Sequence, residues 1–377
     1  MATELLGKSK NELREFCAGL DEPAYRGGQL YHALYRERKF DVAQITNLPA
    51  ALRERLAREA RITLPLVKQR FASMDGSVRY LFSLGIGEPR KEEFTVESAE
   101  KAGSEVASRA NPIAASLEAV FMPSPGRQTI CVSTQAGCAV DCRFCLTAQL
   151  GLIRNLTAGE ILAQVLLPLE EHKAELAPQT NIVLMGQGEP LLNFDAVMAA
   201  LRILLDPQGM GISPKHVTLS TSGIVPGIER MGQESLRPKL AISLNASHDE
   251  QRSALMPINK KYPLAMLLEA CKKYPLRPWE HLTFEYVMLG GVNDSPEDAR
   301  RVVRLLTPLK SVKVNLIPWN PGELPYRESP PDAIEEFRRI VVDRGVPAFV
   351  RYSRGRDVMA ACGQLALQQI NSAPSSP

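Results

Sequence analysis

The run Gly137-Cys-Ala-Val-Asp-Cys-Arg-Phe-Cys-Leu146 contains three cysteines, Cys138, Cys142 and Cys145, in a C-x3-C-x2-C spacing. No fourth cysteine or histidine follows nearby, and the next histidine along the chain is His172. A cubane iron–sulfur cluster has four irons and normally takes four thiolates. Three thiolates leave one iron open to a ligand that is not protein, so the spacing predicts a reaction centre rather than a structural cluster.

Two other interpretations of this cysteine triplet remain open. A structural zinc site needs a fourth ligand and usually pairs two C-x2-C units, whereas this stretch contains only one. Alternatively, the three residues are buried core thiols that happen to lie close together in the sequence. The spacing favours the cluster over both.

Composition indicates a globular protein. The chain has 377 residues, of which 45% are hydrophobic and 23% charged, and this is enough for a large core with one small extra domain. The net charge of +3 permits a nucleic-acid partner without requiring one. The N-terminus has no long apolar core, and no stretch approaches about 18 apolar residues. We therefore expect a cytoplasmic protein with no membrane association, whose seven cysteines do not form a disulfide framework.

Alternating strand and helix patterns begin at Thr129. The predicted strands are Thr129–Ser133, Asn181–Met185, His216–Leu219, Leu240–Leu244, Leu282–Met288 and Val312–Ile317, with Ala348–Tyr352 as a closing strand. The predicted helices are Ala158–His172, Phe194–Leu205, Leu264–Lys273, Pro296–Leu306 and Asp332–Asp343. Six βα units in series predict an α/β fold, with a parallel sheet curled into a partial (β/α)6 TIM-like barrel. Active sites in such folds lie at the carboxyl ends of the strands, and the triplet follows the first strand.

The domain organisation follows from these patterns. Residues 1–60 are predicted to form a small helical accessory domain that binds RNA, although solvated helix faces are the simpler explanation of its basic residues. Residues 61–128 are expected to form a β-hairpin extension, with a turn at Asp75-Gly76 and a flexible insertion at 87–116. The barrel occupies 129–365, and 366–377 is expected to be a disordered tail.

Short polar motifs follow the later strands. In Gly186-Gln-Gly-Glu-Pro190, two glycines let the backbone approach a ligand, and Glu189 offers an acceptor for an amine. Ser220-Thr-Ser-Gly223, Ser243-Leu-Asn-Ala246 and Ile317-Pro-Trp-Asn-Pro321 end the third, fourth and sixth strands. Each motif alone is turn or capping chemistry more often than not. Because all of them lie at one rim, together they are predicted to bind a ribose, a carboxylate or the edge of an adenine.

Three more residues are ambiguous when taken singly. Cys131, within the first strand, and Cys362 are by themselves most simply buried core thiols. Because Cys362 follows an Arg354-Gly-Arg turn, we expect it to lie in an electropositive loop that favours the thiolate. Glu118 would by itself be an outward-facing strand residue.

Taken together, these segments resemble the RlmN family of radical S-adenosylmethionine (SAM) enzymes, which methylate C2 of an adenine in 23S rRNA and in certain tRNAs. The resemblance also includes Met256-Pro-Ile-Asn-Lys-Lys-Tyr-Pro263, Glu285-Tyr-Val-Met-Leu289, Asn315-Leu-Ile-Pro-Trp-Asn-Pro321 and Ala360-Ala-Cys-Gly-Gln-Leu365. It runs from about Leu5 to Leu365 in matching order. The triplet alone indicates only the radical SAM superfamily, whereas Ala-Ala-Cys-Gly-Gln together with Cys131 indicates the RNA methylase branch.

The chemistry of the substrate agrees with this resemblance. C2 of adenine lies between two ring nitrogens and is electron-poor, so it cannot attack the SAM methyl group as a nucleophile, and a radical route is needed. The resemblance implies that Cys138, Cys142 and Cys145 hold a 4Fe–4S cluster whose open iron binds SAM. Electron transfer then cleaves SAM to a 5′-deoxyadenosyl radical, and two SAM molecules are used per turnover.

The resemblance also assigns roles to the three ambiguous residues. A first SAM methylates Cys362, the radical takes hydrogen from that S-methyl group, and the resulting carbon adds to C2. Cys131 then forms a transient disulfide with Cys362 and releases the product. Glu118 is the base that removes the C2 proton.

The SAM contacts implied by the resemblance are Gly188, Glu189, Ser220, Ser243, Leu244, Asn245 and Asn320. Some family members have His in place of Asn245 and Met in place of Gln187. Asn can still donate and accept hydrogen bonds, so SAM binding is expected to persist. The insertion at 87–116 is longer than expected for the family. Basic residues that could hold the RNA backbone are Lys260, Lys261, Arg351, Arg354 and Arg356, although ordinary surface charge explains each one equally well.

The implied partners are 23S rRNA, tRNA and an electron donor of the flavodoxin type, acting on a monomeric enzyme. A sister activity, C8 methylation of the same nucleotide, shares nearly all these motifs and is the nearest alternative. A metal-stabilised RNA-binding protein without catalytic activity is an alternative of a different class. It would carry one zinc and would not cleave SAM.

Overall fold

The structure is a computed structural model that describes residues 2–84 and 116–365. The predicted insertion at 87–116 lies outside the described residues except for Ser116, and the predicted tail at 366–377 lies wholly outside them.

The N-terminal region is helical and packs on the barrel. Its helices are α1 (Lys10–Ala18), α2 (Tyr25–Tyr35) and α3 (Ala50–Glu59), and a short strand β1 (Thr3–Glu4) pairs in parallel with β2 (Ala60–Arg61). The hydroxyl of Ser9 accepts the backbone N–H of Glu12, whose carboxylate accepts the N–H of Ser9, and this capping box fixes the start of α1. The Tyr31 hydroxyl on α2 donates to Asp206 at 2.9 Å, which joins this region to the rest of the chain.

Three antiparallel strands extend the barrel sheet. They are β3 (Leu66–Ala72), β4 (Val78–Ser83) and β5 (Ser116–Ser124), and β5 pairs with β6 (Arg127–Cys131). The predicted turn joins β3 to β4, and Gly76 lies there at φ +80°, a conformation that glycine adopts readily. Region 61–128 therefore contributes strands to the same sheet as the barrel.

The triplet lies in a loop framed by a small ribbon. Its strands, β7 (Gln135–Gly137) and β8 (Leu152–Asn155), are antiparallel, and the one-turn helix α4 (Leu146–Gln149) lies between them. Gly137 has φ +72°, and a Cβ there would lie 1.9 Å from the carbonyl oxygen of Gly151. Only glycine therefore fits immediately before Cys138.

The remaining strands run parallel to β6 and form the core of the barrel. They are β9 (Gln179–Leu184), β10 (Val217–Thr221), β11 (Lys239–Ser243), β12 (Leu282–Met288), β13 (Val312–Pro318) and β14 (Ala348–Val350). The strand order is β3-β4-β5-β6-β9-β10-β11-β12-β13-β14. The helices between them are α5 (Ala158–Glu171), α6 (Phe194–Leu205), α7 (Val225–Gly232), α8 (Asp249–Leu255), α9 (Leu264–Lys273), α10 (Pro296–Leu306) and α11 (Pro331–Val342).

The predicted α/β fold with a partial barrel, an N-terminal helical region and a hairpin extension is confirmed. The bounds of α6, α9 and α10 match the sequence patterns. Those patterns predict neither α7 nor α8.

The two missed helices are short, with eight residues in α7 and seven in α8. Pro226 and Gly227 interrupt the pattern of α7, and a Cβ at Gly227 would lie 2.7 Å from the Cβ of Leu191, so close packing selects a poor helix former. Helix α8 is short and mostly polar, and only Arg252 and Leu255 are buried.

Candidate active site

A cavity of about 170 Å³ opens at the carboxyl ends of the parallel strands. Its lining comes from the triplet loop, from the segments that follow β9, β10, β11 and β13, from β12, and from the loop near residue 362. The sulfur-bearing and polar lining residues include Cys138, Cys142, Cys145, Glu189, Ser220, Ser222, Ser243, Asn245, Glu285, Asn320 and Cys362. The motifs separated in the sequence thus meet at one rim.

A larger groove of about 550 Å³ lies in the N-terminal region. Its walls include Phe16 and Leu20, and its charged groups are Arg58 and Glu59. It has no thiol in its lining, so the chemistry of the chain points to the smaller cavity.

The three triplet cysteines are free and half-buried. Burial raises the pKa of Cys138 to about 12 and raises those of Cys142 and Cys145 as well. The charge of Cys145 adds to the rise at both Cys138 and Cys142, because neighbouring thiolates repel each other. All three would ionise together only beside a strongly positive centre, which is the behaviour of metal-binding thiols.

The arrangement of the thiols bears on the kind of metal centre. Among residues 2–84 and 116–365, no three His, Cys, Asp or Glu side chains are grouped as ligands of a single metal ion. The three thiolates of a cubane bind three different irons and need not converge on one point. The donor set and its spacing therefore fit a 4Fe–4S cluster.

Glu189 is the central acceptor of the rim. It is buried, and its Oε2 accepts the backbone N–H of Ser222 at 2.6 Å and the Ser222 hydroxyl at 2.7 Å, while its Oε1 accepts the N–H of Leu191 at 3.1 Å. Burial raises the pKa of this carboxyl despite those donors. Because the donors are neutral, the carboxylate keeps its attraction for a ligand amine. The preceding Gly188 has φ +99°, and a Cβ there would lie 2.6 Å from the Cβ of Gln135.

Six of the seven predicted SAM contacts line the cavity: Gly188, Glu189, Ser220, Ser243, Asn245 and Asn320. Leu244 does not line it; it is fully buried, and its carbonyl oxygen accepts a bond from the Nε of Arg252 at 3.1 Å. The Asn245 side chain supports the rim, since its Oδ1 accepts the N–H of Val287 at 2.8 Å.

Cys362 opens into the same cavity as the triplet. Its carbonyl oxygen accepts the Nδ2 of Asn320 at 3.1 Å, and the N–H of Leu146 in the triplet loop donates to the carbonyl of Gly363 at 2.8 Å. These bonds tie the Cys362 loop to the cavity wall from both sides.

The predicted electropositive setting of Cys362 is wrong. Its crowded surroundings raise the pKa of the thiol to about 11, and the negative charge of Glu285 adds to the rise. The expected cations point elsewhere: Arg354 bonds to Asp75 at 3.3 Å, and Arg356 pairs with Glu328 at 3.0 Å. The thiol therefore needs a proton acceptor or a bound cationic ligand before it can act as a nucleophile.

Cys131 and Cys362 approach each other across a small apolar cluster. Cys131 ends β6, is buried, and packs with Val358 and Ala360 from the segment that leads to Cys362. Burial raises its pKa first, and the charge of Cys362 raises it further. The structure thus brings together two thiols that are far apart in the sequence.

Glu118 is fully buried on β5, so the expectation of an outward-facing residue is wrong. Its Oε1 pairs with Arg79, and its Oε2 accepts the Nε2 of Gln187 at 3.2 Å. Glu118 does not line the cavity, but Gln187 joins it to the loop of Gly186 and Glu189, which does.

Sequence reasoning missed two buried charged residues at the rim. Glu285 lines the cavity, its Oε1 accepts the Nδ2 of Asn315 at 3.0 Å, and burial raises the pKa of its carboxyl to about 7. Its signal was a lone acid within the apolar strand Leu282–Met288. Arg252 is fully buried on α8, and no sequence pattern marks it.

The chain is similar to known RNA methyltransferases along most of its length. A family model of the radical SAM superfamily matches residues 132–305, and one of the ribosomal RNA large subunit methyltransferase N-terminal domain matches residues 3–62. A protein from Koribacter versatilis named "Probable dual-specificity RNA methyltransferase RlmN" is 49% identical over 93% of this chain and 98% of its own. The dual-specificity RNA methyltransferase RlmN of Anaeromyxobacter dehalogenans is 43% identical over 97% of this chain and 92% of its own.

A solved structure has the same fold. The crystal structure of a radical SAM methyltransferase from Sphaerobacter thermophilus superposes with a TM-score of 0.83 at 39% identity, covering 97% of this chain and 100% of that one. Within the part of the chain that the structure describes, no helix combines the length and apolar character needed to cross a membrane.

Proposed function

The chain belongs to the RlmN family of dual-specificity RNA methyltransferases, and from that premise we propose that it methylates C2 of an adenine in 23S rRNA and in tRNA. It is a radical SAM enzyme that acts on RNA, and SAM and a 4Fe–4S cluster are its cofactors. The C2 regiochemistry, the use of two SAM molecules per turnover and the roles of single residues belong to the proposal.

One observation carries the proposal. Cys362 opens into the cavity that Cys138, Cys142 and Cys145 line, and Cys131 packs against the segment that leads to it. A radical SAM site for SAM cleavage alone needs only the triplet, so two further thiols here support a methyl-carrying role.

The chain's residues divide the cofactor binding between them. Cys138, Cys142 and Cys145 would hold the cluster, and the Glu189 carboxylate would accept the amine of SAM. Ser243 and Asn320 line the same cavity and would orient the rest of the molecule. Once bound there, the cluster and SAM supply the radical chemistry that an electron-poor carbon requires.

Three residues then act on the methyl group and the proton. Cys362 takes the methyl group on its sulfur and presents it to the adenine. The Cys131 thiolate attacks the Cys362 sulfur, so that an S–S bond forms while the bond from that sulfur to the adenine-bound carbon breaks; the carbon keeps the electron pair and takes a proton to become the methyl group. Glu118 accepts the C2 proton, and its Oε2 accepts the Nε2 of Gln187, which joins it to the loop that lines the cavity.

The partners follow from the reaction. The RNA substrates are 23S rRNA and tRNA, and a flavodoxin-type protein supplies electrons to a monomeric enzyme. Because these substrates lie in the cytoplasm, we place the enzyme there. Lys260 and Lys261, which are exposed and follow α8, are candidates for holding the RNA backbone.

Mass spectrometry of the purified protein tests the proposal most directly. We expect a peptide containing Cys362 to carry one added methyl group, while Cys17, buried on α1, stays unmodified. Nucleoside analysis of methylated RNA should give 2-methyladenosine. Finding 8-methyladenosine alone would assign the sister activity, and a colourless protein with one zinc would indicate a binding protein instead.

A further inference from the structure

Arg252 is a fully buried cation just beyond the carboxyl end of β11. Its guanidinium donates four hydrogen bonds: Nε to the carbonyl of Leu244 at 3.1 Å, Nη2 to those of Ser222 at 2.7 Å and Ser243 at 3.0 Å, and Nη1 to Oδ1 of Asn259 at 3.0 Å. Ser222 and Ser243 line the cavity, so the cation lies directly behind its wall.

All four acceptors are neutral oxygens. Burying a charge costs free energy unless an opposite charge accompanies it, yet within the described residues no carboxylate forms an ion pair with Arg252. Asp249 acts on it electrostatically, but Oδ1 of Asp249 already accepts the Nδ2 of Asn259 at 2.8 Å and the N–H of Leu264 at 2.9 Å. Burial lowers the pKa of Arg252 to about 10, so the guanidinium is still charged near neutral pH.

The triplet loop packs against the helix that carries Arg252, since Leu255 of α8 and the following Met256 share one apolar cluster with Cys142 and Cys145. An ionised Cys142 thiol and the Arg252 guanidinium attract each other electrostatically. A backbone bond links the two elements, since the N–H of Arg143 donates to the carbonyl of Leu255, the last residue of α8, at 2.9 Å. The helix that carries the cation is thus attached to the loop that carries the thiols.

An iron–sulfur cluster on three thiolates is anionic, and reduction adds another negative charge. The reduction potential of such a cluster depends on nearby charge, hydrogen bonds and solvent exposure. We propose that Arg252 is the buried counter-charge of the cluster and raises its reduction potential, which eases its reduction by the electron donor. This inference rests on the proposed function, because it requires the cluster to be held by the triplet.

The amino end of the same strand offers a matched control. Arg237, which precedes β11, is also buried and donates to the hydroxyl of Tyr274 at 3.2 Å. It lies 3.9 Å from the Glu280 carboxylate, which also pairs with Arg277 at 2.8 Å. Arg237 thus resembles Arg252 in burial and charge but has an acidic partner and lies at the opposite end of the strand.

A purely structural role for Arg252 must be separated from a role of its charge, because its hydrogen bonds also hold three rim carbonyls. Arg252→Lys keeps the charge and loses the planar fork of donors. Arg252→Gln keeps an amide donor and loses the charge. If the charge of Arg252 matters, only Arg252→Gln should change the reduction potential. If its hydrogen bonds matter, both variants should change it.

The test is an anaerobic redox titration of the holoenzyme, followed by electron paramagnetic resonance of the reduced cluster. For Arg252→Gln we expect the ratio of reduced to oxidised cluster at a fixed solution potential to fall at least tenfold, a shift of about 59 mV for one electron. Arg252→Lys should stay close to wild type, and Arg237→Gln should not shift. An unchanged potential in Arg252→Gln, or equal falls in the Gln and Lys variants, would overturn the proposal.

The iron content decides the case in which the neutral variant does not hold a cluster. Iron retained by Arg252→Lys but lost from both Arg252→Gln and Arg252→Met would support the counter-charge, whereas equal loss from all three would overturn it. Wild-type enzyme is assayed in parallel for iron and for 2-methyladenosine. If the wild type lacks either, the proposed function fails; if it has both, only the role of Arg252 is in question.

Discussion

The buried charged groups at the two ends of the parallel sheet have different partners. At the amino end, Glu280 is buried and pairs with Arg277 at 2.8 Å. At the carboxyl end, the carboxyls of Glu189 and Glu285 accept hydrogen bonds from hydroxyl, amide and backbone donors, and Arg252 donates to neutral oxygens. Glu280 is thus paired within the chain, whereas among the described residues Glu189, Glu285 and Arg252 have no ion-pair partner and could be balanced by a ligand.

This difference separates folding from function. A buried ion pair within the chain stabilises the fold and does not attract a charged ligand. Buried charges without a partner reduce the stability of the empty protein and increase its affinity for a ligand of opposite charge. SAM carries both an amine and a carboxylate, and a cluster on three thiolates is anionic, so both can supply the missing charges.

The largest expected effect comes from a cysteine at the carboxyl end. Cys362→Ala should lower formation of methylated adenosine by at least about a thousandfold, the scale seen when other enzymes lose a covalent nucleophile. Its iron content should stay at the wild-type level, because Cys362 is not one of the triplet. Mass spectrometry of RNA nucleosides and an iron assay measure the two quantities.

Cys17→Ala is the matched control for this change, since Cys17 is buried on α1, away from the cavity. We expect it to lower stability while turnover persists. Full turnover in Cys362→Ala would remove that residue from the mechanism.

The next effect should appear at the amino end and should concern stability alone. Glu280→Gln leaves Arg277 and Arg237 without their carboxylate. Removing one partner of a buried pair costs about 3–5 kcal/mol, and we expect the lower limit because Arg277 is partly exposed. Urea denaturation measures the loss, and the dissociation constant of SAM should not change. Glu335→Gln, on the exposed face of α11, serves as the control and should change neither quantity.

The sequence predicted the fold largely because its signals are local. Periodic apolar runs located α6, α9 and α10, and the alternation of strands and helices indicated the parallel sheet. The same topology brought the triplet and the Gly186–Pro190 motif to one rim. These predictions needed only the rule that the carboxyl ends of parallel strands meet at one edge.

The electrostatics of the site could not be predicted in this way, because they depend on distant neighbours. Nothing near Glu118 in the sequence indicates that Arg79 will pair with it across two strands. The arginines near Cys362 suggested a positive setting, but they turn toward Asp75 and Glu328. Whether a buried charged residue has an ion-pair partner depends on the tertiary structure. The presence or absence of such partners is what distinguishes the two ends of the sheet.

The third prediction concerns pH. Burial raises the pKa of Glu285 from its ordinary value of 4.5 to about 7, so the folded protein favours the neutral acid. Stability should therefore fall as pH rises from about 4.5 to about 7, by up to about 3 kcal/mol, and this term should stay constant above that window. Glu285→Gln should lack this loss.

Urea denaturation of both proteins without cofactors, between pH 5 and pH 8, measures the difference between their free energies of unfolding. Parallel curves for wild type and variant across the window would mean that Glu285 is already balanced, and the contrast between the two ends would weaken.

The smallest effects come from one hydroxyl at each end of the sheet. Ser243 ends β11 and lines the cavity, whereas Ser311 precedes β13 and donates its hydroxyl to the carbonyl of Glu280 at 2.8 Å. One hydrogen bond contributes about 1 kcal/mol, which is about fivefold in a binding constant. Ser243→Ala should therefore weaken SAM binding about fivefold with stability unchanged, and Ser311→Ala should lose about 1 kcal/mol of stability with SAM binding unchanged. Calorimetry of SAM binding and urea denaturation of both variants separate these outcomes. If both substitutions weaken SAM binding alike, the two ends of the sheet are coupled. The amino end would then not serve stability alone, and the carboxyl end would not serve ligand binding alone.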